Sequence, residues 1–162
     1  MSVAVEIIEQ GLQGAMERIQ ALNDPVMRLK LMTAVGQEVQ DQTEYRITTE
    51  KTAPDGTPWP PNRRGTSILY ASGRLAGSID YRATLDEVHV GSALPYARIH
   101  QYGGRIEPRS ANALAFASGG DSWVVKSVYI PPRPYLGLSG QNIADVEEMI
   151  ADFVADVLAG IQ

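Results

Sequence analysis

Cysteine is absent from the chain. That excludes a disulfide framework and any thiolate-bound metal, and it suits a reducing compartment. Histidine is nearly as scarce, with two copies, His89 and His100. A structural or catalytic metal gathers three or four ligands at helical or turn spacing. His100 has no histidine or carboxylate three or four positions away, and His89 has only Asp86, in a segment that reads as a hairpin. Neither a metal nor a cofactor is expected. No apolar run approaches the roughly 20 residues that cross a bilayer. Residues 1–10 carry Glu6 and Glu9 in place of a basic stretch followed by an apolar one, so no secretory leader is expected. Basic residues are missing altogether from positions 135–162, which hold five acidic ones.

What is present is ordinary for a globular chain. The 162 residues are 44% hydrophobic and 20% charged, enough for one domain with one core. A single domain over residues 1–162 is expected. The formal charge of −5 is unevenly spread. Residues 1–50 hold four basic and eight acidic groups, and residues 51–134 hold ten and six. Acidic ends therefore flank a basic middle, a pattern that lets the middle of one copy attract the ends of another. Carboxylates that merely solvate helix faces would give the same pattern.

Hydrophobic spacing predicts the elements. Val5, Ile8, Leu12, Met16, Ile19 and Leu22 make one helical face. Asp24 and Pro25 suit the cap and first position of a second helix, running to about Arg46. Residues 1–47 are thus expected to form a helical hairpin. Pro54, Gly56, Pro58, Pro60, Pro61 and Gly65 predict an extended loop over 48–66. Loops this long inside a domain are usually functional or mobile. A short helix over 69–78 follows. Two hairpins are expected next, Ile79–Thr84 with Glu87–Gly91 and Ala113–Ala117 with Trp123–Tyr129, the second turning at Ser118-Gly119-Gly120-Asp121. An amphipathic helix over about 142–159, capped by Ser139 or Asn142, closes the chain. The expected fold class is α+β: a small antiparallel sheet of about four strands, in a core over 67–140, packed against the N-terminal helical hairpin and the C-terminal helix of 141–162.

Catalytic patterns are thin. No Gly-x-Ser-x-Gly elbow occurs, and Gly103-Gly104 and Gly119-Gly120 lack the surroundings of a phosphate loop. Ser72 or Ser78 with His100 as base is a spatial arrangement that sequence leaves open. The basic middle interleaves Arg63, Arg64, Arg74, Arg105 and Arg133, among other arginines, with Trp59, Tyr70, Tyr81, Tyr96 and Tyr102. Arginine among aromatic residues is the composition of protein–protein hot spots, and also of nucleic-acid grooves. The net acidity favours the former, since non-specific DNA affinity comes from neutralising phosphates.

Five segments carry a resemblance when taken in order. They are Pro54-Asp55-Gly56-Thr57-Pro58-Trp59, Leu69 to Ile79 with its Ser-Gly-x-Leu core, Val88 to Ser92, Tyr96 to Gly104, and Ile130-Pro131-Pro132-Arg133-Pro134-Tyr135-Leu136-Gly137-Leu138-Ser139. This series, over about residues 50–140, resembles the tailed-bacteriophage virion morphogenesis family. The resemblance implies a structural protein without enzymatic activity, cofactor or small-molecule substrate. It implies a place in the virion neck or at the head-proximal end of the tail, assembled in the bacterial host cytoplasm. There the protein would complete the tail or join it to the head as a ring subunit. A tail terminator ring, or an assembly factor absent from the finished virion, are the alternatives. Expected partners are further copies of the chain (a hexamer is one ring size), neighbouring neck and tail proteins, and double-stranded DNA passing through the lumen without sequence-specific binding. Carboxylates of the terminal helices would keep such DNA mobile. The expected protein-interface residues are Trp59, Arg63, Arg64, Arg74, Tyr96, His100, Gln101, Arg105, Arg133 and Tyr135. Trp59 has two readings: a rigid anchor for a neighbour, or a pin holding its loop to its own domain. Arg133 is expected to pair with a carboxylate of its own or an adjacent subunit.

Overall fold

The computed structural model describes residues 14, 16–62, 67–118 and 121–160. They gather into two units. One comprises Met1–Val39, Tyr81–His89 and Gly140–Gln162, and the other Gln40–Asp80 and Val90–Ser139.

In the first unit, residues 16–22 are helical and the helix breaks at Asn23-Asp24. The start expected at Val5 lies outside the described residues. Asp24 caps the next helix, its Oδ1 accepting the amides of Val26 at 2.8 Å and Met27 at 3.2 Å. Helix α1, Pro25–Tyr45, starts at the proline as expected. Gly36 within it is buried under the Tyr81 ring, where a Cβ would come within 2.8 Å of Tyr81 Cε2. Arg28 pairs with Asp86. Helix α3, Gly140–Ala159, also belongs to this unit. Its first residue follows Ser139 directly, while Asn142 is buried within the helix and does not precede it.

The second unit holds the core: Ile47, Ala53, Trp59, Leu75, Ala76, Ile79, Ala97 and Tyr135. A π-helical turn, Arg46–Glu50, follows α1 and stops at Lys51 in the left-handed conformation. The loop expected to extend from here is folded back instead. Thr52 bridges Pro58, Ala53 N donates to Thr57 O at 2.8 Å, and Trp59 N donates to Lys51 O at 3.1 Å. Pro54-Asp55-Gly56 makes the reversal. Asp55 Oδ1 accepts the Thr57 amide at 2.9 Å, which holds its carboxyl below the usual range, and Gly56 takes φ +82°. The helix expected over 69–78 is reduced to a 3₁₀ turn, Ala76–Ser78, after a run of turns.

The strands are β1 (Ile79–Ala83), β2 (Val88–Ser92), β3 (Gly104–Ile106), β4 (Leu114–Ser118), β5 (Asp121–Val125) and β6 (Val128–Ile130). They form three two-stranded ladders, β1–β2, β3–β6 and β4–β5, where one sheet of about four strands was expected. Both expected hairpins are present. The strand expected from Trp123 to Tyr129 breaks at Lys126-Ser127, and its second half, β6, pairs antiparallel with β3 (Arg105 opposite Tyr129). Between β2 and β3 lies a short helix, α2, Ala97–Tyr102. Gly103 ends it at φ +68°, ψ −176°, a conformation nearly closed to other residues.

Candidate functional site

Prolines crowd two segments of the second unit, Pro58 to Pro61 and Pro131 to Pro134. Proline cannot donate to a ladder, yet the carbonyls around it still need donors. Side chains supply them. Trp59 Nε1 donates to Pro134 O at 2.9 Å. Arg133 returns the contact, with Nε on Pro60 O at 2.8 Å and Nη2 on Pro61 O at 3.1 Å. Arg46, 1% exposed, donates through Nη1 to Tyr135 O at 3.0 Å and Gly137 O at 2.7 Å. Burial pulls its pKa down, and Glu50, 3.6 Å away, offsets part of that. Gln101 on α2 completes the clasp. Its Oε1 accepts from Tyr135 N at 2.9 Å and Leu136 N at 3.0 Å, while Nε2 donates to Leu136 O at 3.1 Å. Tyr135 is buried and donates to Ala97 O at 3.2 Å, and its burial raises the phenol pKa.

Beside the clasp is a cleft of about 720 Å³. Ile68, Leu69, Leu75, Val128 and Ile130 give it apolar walls, and Arg74, Tyr96, His100 and Arg133 add polar groups. The His100 ring meets Tyr96 edge-on, with centroids 5.9 Å apart. Burial, reinforced by the charge of Arg133, holds the His100 pKa below its ordinary value. Its Nδ1 is buried with no hydrogen-bond partner among the described residues. Ser72 lines the same cleft. No hydrogen bond joins it to His100 among the described residues, and no carboxylate orients the imidazole, so the serine–histidine pairing lacks its second link. Ser78 instead donates to Leu75 O at 2.7 Å.

The residues expected at an interface therefore divide. Trp59, Arg133 and Tyr135 are 4%, 6% and 1% exposed. Their side chains are engaged within their own chain, so Trp59 pins its loop and is no free anchor. Within the chain, carbonyls take two nitrogens of Arg133, and no described carboxylate pairs with it. Gln101 is likewise spent on the clasp. Arg74 and Tyr96 are exposed, His100 is half-buried, and Arg105 is exposed beside Glu107 and Ser127. Arg63 and Arg64 lie outside the described residues.

One feature escaped the sequence reading. On the β4–β5 hairpin, Phe116 and Trp123 face each other across the ladder, with rings 5.6 Å apart. They are 42% and 41% exposed, and Val124 on the opposite face is 72% exposed. The alternation that marked the hairpin says nothing about whether either face is covered.

The phage virion morphogenesis family model matches residues 5–158. The chain is 26% identical over 144 residues to tail completion protein S of Escherichia phage P2, covering 88% of this chain and 91% of that protein. It is 35% identical over 91 residues to the Mu-like prophage FluMu G protein 2 of Haemophilus influenzae, covering 56% of this chain and 54% of that protein, or about half the relative's length. No solved structure matches. The chain belongs to the phage virion morphogenesis family.

Proposed function

We propose that this member of the virion morphogenesis family is a structural subunit of the phage neck. It completes the tail or joins it to the head, as a ring of copies around the DNA path, and works by docking and not by catalysis. The P2 relative, named as a tail completion protein and matched over most of both chains, supports the tail-completing role. The observation on this chain that carries the docking role is the β4–β5 hairpin. A lone two-stranded ribbon is marginally stable in water. This one presents Phe116, Trp123 and Val124 to solvent, the kind of apolar, aromatic surface that marks a protein contact. The clasp explains why the signature segments are rich in proline, arginine and tryptophan: those residues lock the two proline-rich segments to each other.

The test is assembly. Purified protein is added to phage tails made without it, and attachment to heads is scored by infectivity and electron microscopy, with native mass measured alongside. The expected result is stoichiometric recruitment to tails and restored joining, both lost in the double variant Phe116→Ser with Trp123→Ser while the far-ultraviolet spectrum is retained. Wild-type protein that neither joins tails nor restores infectivity refutes the reading.

A further inference from the structure

Arg133 is 6% exposed, with Nε and Nη2 bound to carbonyls, while its third nitrogen, Nη1, has no partner among the described residues and stays open to solvent. It lines the cleft beside His100, whose Nδ1 is also unpartnered, while exposed Arg74 adds a second guanidinium. A guanidinium with one nitrogen open and no described carboxylate beside it attracts an anion able to reach it. The walls, Ile68, Leu69, Leu75 and Ile130, require that the anion arrive on an apolar body.

The same chain carries such a body. On α3, Ala144, Glu148, Ala151 and Ala155 fall on one exposed face at helical spacing, with Glu147 and Asp152 flanking them. Glu148 thus rises from a low ridge of alanines. No ion pair engages Glu147, Glu148, Asp152 or Asp156 among the described residues, and no basic residue lies anywhere in 135–162.

We infer that the α3 ridge of one copy docks into the cleft of the next, Glu148 meeting Arg133 and the flanking carboxylates meeting Arg74. This rests on the ring reading above and deepens it. Ridge and cleft are different surfaces, so the contact is head-to-tail, and such contacts close into rings when the rotation permits. It also assigns the terminal helix's carboxylates to the seam between copies and not to the DNA path.

The experiment uses the full chain and two exposed positions, which spares the clasp. Glu148→Gln keeps size and helix propensity but removes the charge, and Arg74→Glu reverses the cleft. Self-association is measured by sedimentation and native mass, at low and physiological salt. Each variant alone is expected to associate at least about 30-fold more weakly than wild type, as loss of one partner of a buried charge pair implies. Mixed together, the two retain one intact seam, from the ridge of the Arg74→Glu chain to the cleft of the Glu148→Gln chain, and should give 1:1 pairs that do not extend. If Glu148→Gln assembles like wild type, the inference fails while the ring reading stands. Wild-type protein that remains a single copy, both free and on tails, overturns both.

Discussion

Replacing Gln101 with leucine tests the clasp at its most connected point. The amide holds three backbone groups of one turn: Tyr135 N, Leu136 N and Leu136 O. Leucine preserves the bulk and the helix propensity of α2, so the loss falls on those hydrogen bonds. Each is worth about 1 kcal/mol net, for about 3 kcal/mol in all, and more if Tyr135 N stays buried and unpaired. Against a total stability of about 5–15 kcal/mol that is a large fraction. In a chain of this size the midpoint of thermal unfolding should fall by about 6–12 °C. Urea titration with an unchanged slope would assign the loss to stability and not to a changed denatured state. Gln101→Glu is the control. Its carboxylate still accepts from both amides but faces Leu136 O without a donor, so a smaller loss is expected, one that shrinks in acid as the carboxyl regains a proton. A Gln101→Leu loss below about 0.5 kcal/mol would mean that water satisfies the turn equally well, and the account of the clasp would be wrong.

Two further outcomes follow from local geometry. Gly36→Ala should raise stability by about 1 kcal/mol on helix propensity alone. The new methyl would overlap the Tyr81 ring, and such overpacking costs about 1–3 kcal/mol, so a net loss is expected by urea titration, relieved when combined with Tyr81→Ala; a gain in the single variant would sink this reading. His100 is held below the ordinary histidine range by burial and by Arg133, so the unfolded chain takes up a proton more readily than the folded one. Stability is then fully present above the unfolded value of about 6.5 and is lost as pH falls through the lower folded value. Titration of the His100 ring by NMR should show the depressed value, and His100→Gln should flatten that part of the stability curve; an unshifted ring would contradict the cleft's geometry.

How much was legible in advance depends on the range of the interaction. The Asp24-Pro25 helix start, the two hairpins and the terminal helix are local matters, decided by caps, turns and spacing within a few residues, and all four stand in the structure. The family could be read from the order of five short segments. The prolines of 48–66 exclude regular structure without saying where the chain goes; the Asp55–Thr57 turn and the bond from Trp59 to Pro134 send it back into the core. Strand β6 was joined to β5 because nothing local separates them, whereas its pairing with β3 is settled more than 20 residues away.

By itself, then, the sequence determined the long helix starting at Pro25, the terminal helix, the two hairpins, the absence of thiol chemistry, the acidic terminal segment and the family. Tertiary structure alone decided which polar groups are spent and which are free. Trp59, Arg133, Gln101 and Tyr135 look from composition like contact residues, but each found backbone partners far along the chain: proline carbonyls for Trp59 and Arg133, the Tyr135-Leu136 turn for Gln101 and Ala97 O for Tyr135. Phe116 and Trp123 look like core, yet stand in solvent. Exposure belongs to the assembled surface and not to the residue, since the cost of leaving an aromatic ring in water is recovered only by whatever packs against it.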